Sequence, residues 1–205
     1  MPFRLEILKT VLNIAKRIDD SENWNMRRLK IMEHLIRDKF RRSKELQEKL
    51  KATGMIDNDK IGVSGWSYGG FMTVWLTGHY DGWKAAVAGA AVTDWEDQYD
   101  LSDGNVGRAT AIGGSPYVGD NMQKYIAQSP ITAAKNIKAP TLILVNTGDP
   151  RVPVTQSYKL YHALTDNGTV TKFMGWPIPA HNATDPITQM EQHRLWLNWL
   201  NKYLK

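Results

Sequence analysis

After residue 60 the chain alternates short apolar runs with helical patterns, and this rhythm narrows the fold more than any other feature. Four runs read as strands: Ile61–Ser64, Ala85–Ala90, Thr141–Thr147 and Val170–Met174. Their apolar residues are largely continuous rather than alternating, so both faces of the strands are to be buried. Helical spacing marks Gly70–Thr77 and Gln156–Thr165, among other stretches, and a final helix over Ile187–Leu204. That last helix carries Met190, Leu195, Trp199, Leu200 and Tyr203. Doubly buried strands separated by helices predict a mostly parallel α/β sheet. The chain shows no internal repeat and no low-complexity tract.

Residues 1–54 read differently, as a basic segment of two amphipathic helices ahead of an α/β portion over residues 55–205. Leu5, Leu8, Leu12, Ala15 and Ile18 follow helical spacing. Asp19–Asn23 reads as a turn with an N-cap, and Met32, Leu35, Ile36, Phe40, Leu46 and Leu50 mark a second helix. Gly54 reads as its C-cap residue. Of 26 basic and 21 acidic residues, 15 and 10 fall in residues 1–60, which leaves 11 of each to cancel in the remainder. "MRRLK" and "RDKFRRSK" could meet phosphates, but Glu33, Asp38, Glu45 and Glu48 interleave with them. A solvated helix face is the better reading, so no nucleic-acid partner is expected.

Composition excludes several further classes. With 42% apolar and 23% charged residues over 205 positions, the chain can bury a core and is not of disordered type. No apolar run reaches the roughly 18 residues that a membrane helix requires. The N-terminus "MPFRLEILKTVLNIAKRIDD" mixes charge into its apolar residues and does not read as a signal peptide, so a cytoplasmic location and no membrane partner are expected. With no cysteine there is no disulfide, thiolate metal site or cysteine nucleophile.

Where the first strand meets the first helix stands "GWSYGG", a Gly-x-Ser-x-Gly pattern. At such a junction a serine occupies a strained turn, and Gly65 and Gly69 are expected to leave room for it. The Ser67 hydroxyl then stands clear of the sheet at a helix N-terminus, where the Tyr68 N–H is a natural oxyanion donor. A serine nucleophile needs a base, and the base needs an orienting acid.

In strand–elbow–helix sites of this kind the order along the chain is serine, acid, histidine. Asp149 directly follows the apolar strand "TLILVNTG", at a strand C-terminus where open α/β sheets place their sites. Asp166, at the end of a helical pattern, and Asp185, beyond the histidine, fit less well. His181 lies in the loop "GWPIPAHNATDP" after the last strand, held by Pro177 and Pro179. His34, His79, His162 and His193 fall within or at the end of helical stretches and read as structural.

The stretches "IDNDKIGVSGWSYGGFMTVW", "WKAAVAGAAVTDW", "SPITAAKNIKAPTLILVNTGDPRVPVTQSYKLYHAL" and "HNATDP" together resemble the catalytic domain of the prolyl oligopeptidase family of serine peptidases. The dipeptidyl-peptidase and acylaminoacyl-peptidase branches are most similar, over about Met55–Leu204. The resemblance implies an α/β-hydrolase-like fold with Ser67 as nucleophile, Asp149 as acid and His181 as base. It also implies an aromatic-lined pocket, for which Trp95, Tyr99 and Tyr68 are the nearest candidates; core packing is the competing role for them. No metal and no cofactor is required.

Two departures from the family shape the remaining expectations. The family places several strands before the nucleophile strand, and a loop among them supplies a second oxyanion donor, typically a tyrosine hydroxyl. A β-propeller usually precedes that domain. Residues 1–50 show no such loop and no propeller. The sheet is therefore expected to be reduced in strand number, with Ile61–Ser64 at an edge. The N-terminal helices, or a second copy of the chain, are expected to cover that edge.

With one donor evident, a loss of about 10²–10³ in rate is expected. A serine hydrolase acting on short peptides or activated esters follows. The alternative is a truncated, chimeric or engineered scaffold or assembly module that keeps the triad without a full oxyanion hole.

Overall fold

The computed structural model describes residue 52, residue 57 and residues 59–205. The two-helix reading of residues 1–54 therefore lies outside the described residues, apart from Ala52. The chain runs from β1 (Gly62–Trp66) into α1 (Tyr68–His79) and β2 (Ala85–Gly89). Three short helices follow: α2 (Trp95–Asp100), α3 (Asn105–Ile112) and α4 (Asn121–Gln128). A 3₁₀ segment, Pro130–Asn136, leads into β3 (Thr141–Asn146), and α5 (Val154–Asp166), β4 (Thr171–Trp176) and α6 (Pro186–Tyr203) complete the order.

The four strands form one sheet in the order β1-β2-β3-β4. Every pairing is parallel, with Gly62 opposite Ala85, Ala86 opposite Thr141 and Thr141 opposite Thr171. Among the described residues β1 has a neighbour on one side only. It also runs two residues further than its apolar pattern, up to Trp66, so that strand and serine are contiguous.

The unbroken apolar runs are explained by a sheet covered on both faces. Side chains alternate across a strand. Ala88 and Ile143 point to one face, into a cluster with Val74 of α1 and Leu160 and Leu164 of α5. Ala85, Val87, Leu142 and Leu144 point to the other, into a cluster with Trp176 and with Trp199 of α6. Neither face of β2 or β3 is left to water, so a polar–apolar alternation has nothing to select it. Each fully buried Val, Leu or Ile contributes about 1.5–3 kcal/mol relative to exposure. Among the described residues no helix is long and apolar enough to cross a membrane.

Leu142 is 1% exposed and faces the α6 side. Leu142→Ala is expected to cost about 2–5 kcal/mol, the usual range for emptying a packed site. Urea unfolding will report it as a lower midpoint at unchanged slope.

Candidate active site

Ser67 sits between the end of β1 and the first residue of α1, with φ 61° and ψ −118°. A non-glycine residue with positive φ is rare and costs about 1–3 kcal/mol, so its surroundings must hold it there. Two backbone bonds do so. The Ser67 N–H donates to the Gly89 carbonyl at 2.8 Å, and the Phe71 N–H donates to the Ser67 carbonyl at 2.9 Å. The hydroxyl makes no capping bond to α1 and is not consumed by the helix. The Tyr68 N–H, first in the helix, has no carbonyl a turn before it to satisfy it within the helix.

The glycines divide differently from the sequence reading. A Cβ at Gly65 would lie 2.4–2.7 Å from the Gly69 backbone, so Gly65 is required. A Cβ at Gly69 would meet nothing within 4 Å. The second demanding position is Gly70, where a Cβ would fall 2.4 Å from the Gly89 oxygen and 2.8 Å from the Ala91 Cα. What needs room is the seating of α1 against β2, a non-local contact, rather than the second glycine of the motif.

Asp149 lies three residues past β3 with its side chain fully buried (0% exposed). Its Oδ1 accepts from the Arg151 N–H at 2.7 Å and the Val152 N–H at 3.1 Å. Its Oδ2 meets His181 Nδ1 at 2.6 Å. The loop after β4 is zipped to the loop after β3 ahead of that contact. The Thr147 N–H donates to the Trp176 carbonyl at 2.8 Å and the Gly148 N–H to the Ile178 carbonyl at 3.2 Å. The acid loop is anchored on its other side by the buried Gln98, whose Nε2 donates to the Arg151 carbonyl at 2.7 Å.

The described residues form no Ser67–His181 hydrogen bond. The elbow meets the imidazole through Trp66, with ring centroids 6.3 Å apart and a 53° tilt. Loose nucleophile–base contacts are common without substrate and tighten on binding. Asp166 ends α5, and Asp185 caps α6, so the two competing carboxylates have other places. His79 closes α1 stacked on Trp75, and His162 and His193 lie within α5 and α6. His34 lies outside the described residues.

The aromatic candidates separate into two groups. Tyr68 is half exposed and stacks on Phe71 at 5.2 Å, and Phe71 tilts against Trp95 at 5.4 Å. Partial burial raises the Tyr68 phenol above its ordinary pKa. The Trp95 indole N–H donates to the Gln128 carbonyl at 2.9 Å, and the ring packs on the cluster of Phe71, Val92 and Val152. Tyr99 stands apart, edge-on to Tyr117 and Tyr125 at 6.2 and 6.1 Å. The sequence reading passed over Trp66, Gln98 and Asn146. The last had a visible signal, a polar residue closing an apolar strand.

A profile of the prolyl oligopeptidase family matches residues 28–205. The chain belongs to this family. The match starts at residue 28, upstream of the 54/55 boundary read from the break in helical pattern at Gly54. An uncharacterized peptidase of Bacillus subtilis (strain 168), YuxL, is 30% identical over 163 residues, which cover 78% of this chain and 24% of the relative. Dipeptidyl-peptidase 5 of Porphyromonas gingivalis is 30% identical over 161 residues, 77% of this chain and 24% of the relative. The solved structure of uncomplexed Pyrococcus horikoshii acylaminoacyl peptidase superposes with a TM-score of 0.72 at 31% identity, over 78% of this chain and 27% of its own. The fold is thus the α/β-hydrolase fold of these peptidases, and the chain spans about a quarter of the length of the curated relatives it matches.

Two measurements test this geometry. Gly70→Ala, forced against backbone, is expected to destabilise by about 1–3 kcal/mol. Gly69→Ala, in open space within a helix, is expected to gain about 0.5–1 kcal/mol. Chemical denaturation of both variants will separate them.

Asp185 accepts from the Thr188 N–H at 2.8 Å, and that bond above all holds its carboxyl below the ordinary aspartate pKa. A lowered folded-state pKa gives stability that is present above the unfolded value and lost as pH falls through the folded one. Asp185→Ala is therefore expected to lower Tm at pH 7. The deficit should vanish in acid below the range where free aspartate titrates, as read by calorimetry across pH.

Proposed function

We propose that this chain is the catalytic portion of a serine peptidase that works by acyl transfer. Ser67 Oγ attacks a carbonyl carbon while His181 Nε2 takes its proton. Asp149 accepts the hydrogen bond from Nδ1, which fixes the tautomer that leaves Nε2 free as the base and steadies the imidazolium that forms. The Tyr68 N–H, aided by the N-terminal end of α1, donates to the oxyanion. Collapse of the tetrahedral intermediate returns the proton to the leaving group. Water then releases the acyl group from Ser67 by the same steps in reverse.

The observation that carries this reading is the 2.6 Å bond between His181 Nδ1 and a fully buried Asp149 carboxylate. A carboxylate taken out of water needs donors, and this one has two backbone N–H groups and an imidazole. Short peptides are the proposed substrates, supported by relatives named dipeptidyl-peptidase 5 and acylamino-acid-releasing enzyme. The row Tyr68, Phe71 and Trp95 is the proposed wall for an apolar substrate residue. With Tyr68 N–H as the one donor assigned, activated esters are expected to turn over faster than peptide bonds.

A fluorophosphonate probe is expected to label the protein and to miss Ser67→Ala. Asp149→Asn is expected to lower kcat on a p-nitrophenyl ester by about 10⁴-fold, the effect of losing the correct tautomer. Equal labelling and equal turnover by Ser67→Ala would overturn the assignment in favour of a non-catalytic scaffold.

A further inference from the structure

Asn146, the last residue of β3, is fully buried and touches both loops of the acid–base pair. Its main-chain carbonyl accepts from the Asp149 N–H at 3.1 Å. Its side-chain Nδ2 donates to the Ala180 carbonyl at 2.9 Å and to the His181 carbonyl at 3.3 Å. Its Oδ1 accepts from Gln192 Nε2 of α6 at 3.1 Å, and Gln192 is itself largely buried. One amide thus ties β3 to two elements that lie 34 to 46 residues further along the chain.

The chemistry of the contacts selects an amide. Two carbonyl oxygens on one side demand a donor with two hydrogens, and the Gln192 donor on the other side demands an acceptor. A carboxylate would set oxygens against oxygens. An aliphatic side chain would take away the donor that these two part-buried carbonyls share. The imidazole itself is held by Asp149 at Nδ1 and lies beside the Trp66 ring, but neither contact fixes the backbone from which it projects. The Asn146 bonds do so, at His181 and at the residue before it.

We propose that Asn146, braced by Gln192, is a positioning residue that sets the His181 imidazole against Asp149 and toward Ser67. This rests on His181 being the base of the proposed reaction. A misplacement of about 1 Å at a reacting group costs on the order of 10²-fold in rate. The expected pattern is loss of kcat with KM preserved, because Asn146 is buried beneath the loop.

The test compares the 205-residue chain with Asn146→Ala, Gln192→Leu and Gln192→Glu, each checked for folding by circular dichroism and urea midpoint. Two readouts are taken. One is p-nitrophenyl ester kinetics. The other is the low-field proton NMR resonance of the His181 Nδ1–H bonded to Asp149, which needs no turnover.

Folded Asn146→Ala is expected to lose about 10²-fold in kcat with KM within about twofold, and to shift or lose the low-field signal. Gln192→Leu should move both readouts in the same direction by less. Gln192→Glu should be worse than Gln192→Leu at neutral pH, because its carboxylate is set against the Asn146 Oδ1.

Wild-type kcat together with an unshifted resonance in folded Asn146→Ala would overturn the proposal. If that variant fails to fold, an unshifted resonance in Gln192→Leu overturns it instead. If Ser67→Ala turns over ester as well as wild type, the acyl-transfer reading has failed on its own. The resonance then still decides whether Asn146 positions His181.

Discussion

The parallel pairing of β3 with β4 sets where the acid and the histidine can meet. Thr141 opposes Thr171, and the register continues to Asn146 opposite Trp176. The two strands then end together, and their outgoing loops stay in contact through the Thr147–Trp176 and Gly148–Ile178 backbone bonds. Asp149 and His181 are 32 residues apart in sequence, yet each is a few residues beyond its strand. Because all four strands point the same way, Ser67 emerges on the same border of the sheet from β1. Chemistry-bearing side chains therefore gather at one edge without any of them lying in a strand, the usual arrangement of an open α/β sheet.

Burial makes that meeting stringent. A carboxylate with no exposed surface is tolerable only when its lone pairs are met, and Asp149 meets them with donors from its own turn and from the facing loop. The turn is in turn held from the far side by Gln98, which is fully buried and linked to Gln156. Gln156 accepts from the Thr93 and Asp94 N–H groups, which tie the loop between β2 and α2 to α5. A polar chain thus runs under the site from the aromatic wall to the acid. Fully satisfied networks of this kind specify one arrangement of a core more sharply than apolar packing does.

Much of this was legible in the sequence because it is local. β2 and β3 are buried on both faces, which leaves no alternation to confuse the pattern. The elbow was legible because strand, serine and helix are consecutive. The meeting of Asp149 and His181 was legible because each lies a few residues beyond a strand.

What escaped was non-local. Residues 95–128 hold three short helices, tied by contacts such as the Trp95 indole to Gln128 and the Tyr125 hydroxyl to Gly114. No repeating pattern of eight residues or fewer announces such contacts. The distinction between Gly69 and Gly70 depends on where β2 passes, which no local motif encodes. Asn146 was visible as a residue, but its partners lie on two other elements.

Ser67 and the bonded pair Asp149–His181 are held by different strands. Asp149 follows the interior strand β3 and His181 the border strand β4, and the bonds between their outgoing loops tie the two together beyond the strand ends. Ser67 hangs from β1, which among the described residues is a border strand, and its N–H bond to Gly89 crosses the one ladder that β1 makes. Border strands detach at lower free energy than interior ones, in openings that leave the rest of a domain intact. Fraying of β1 would relax the Ser67 backbone to an ordinary conformation while the acid and histidine stayed bonded. In the reaction proposed for Ser67, such an opening would stop turnover while β2, β3 and β4 kept their pairing.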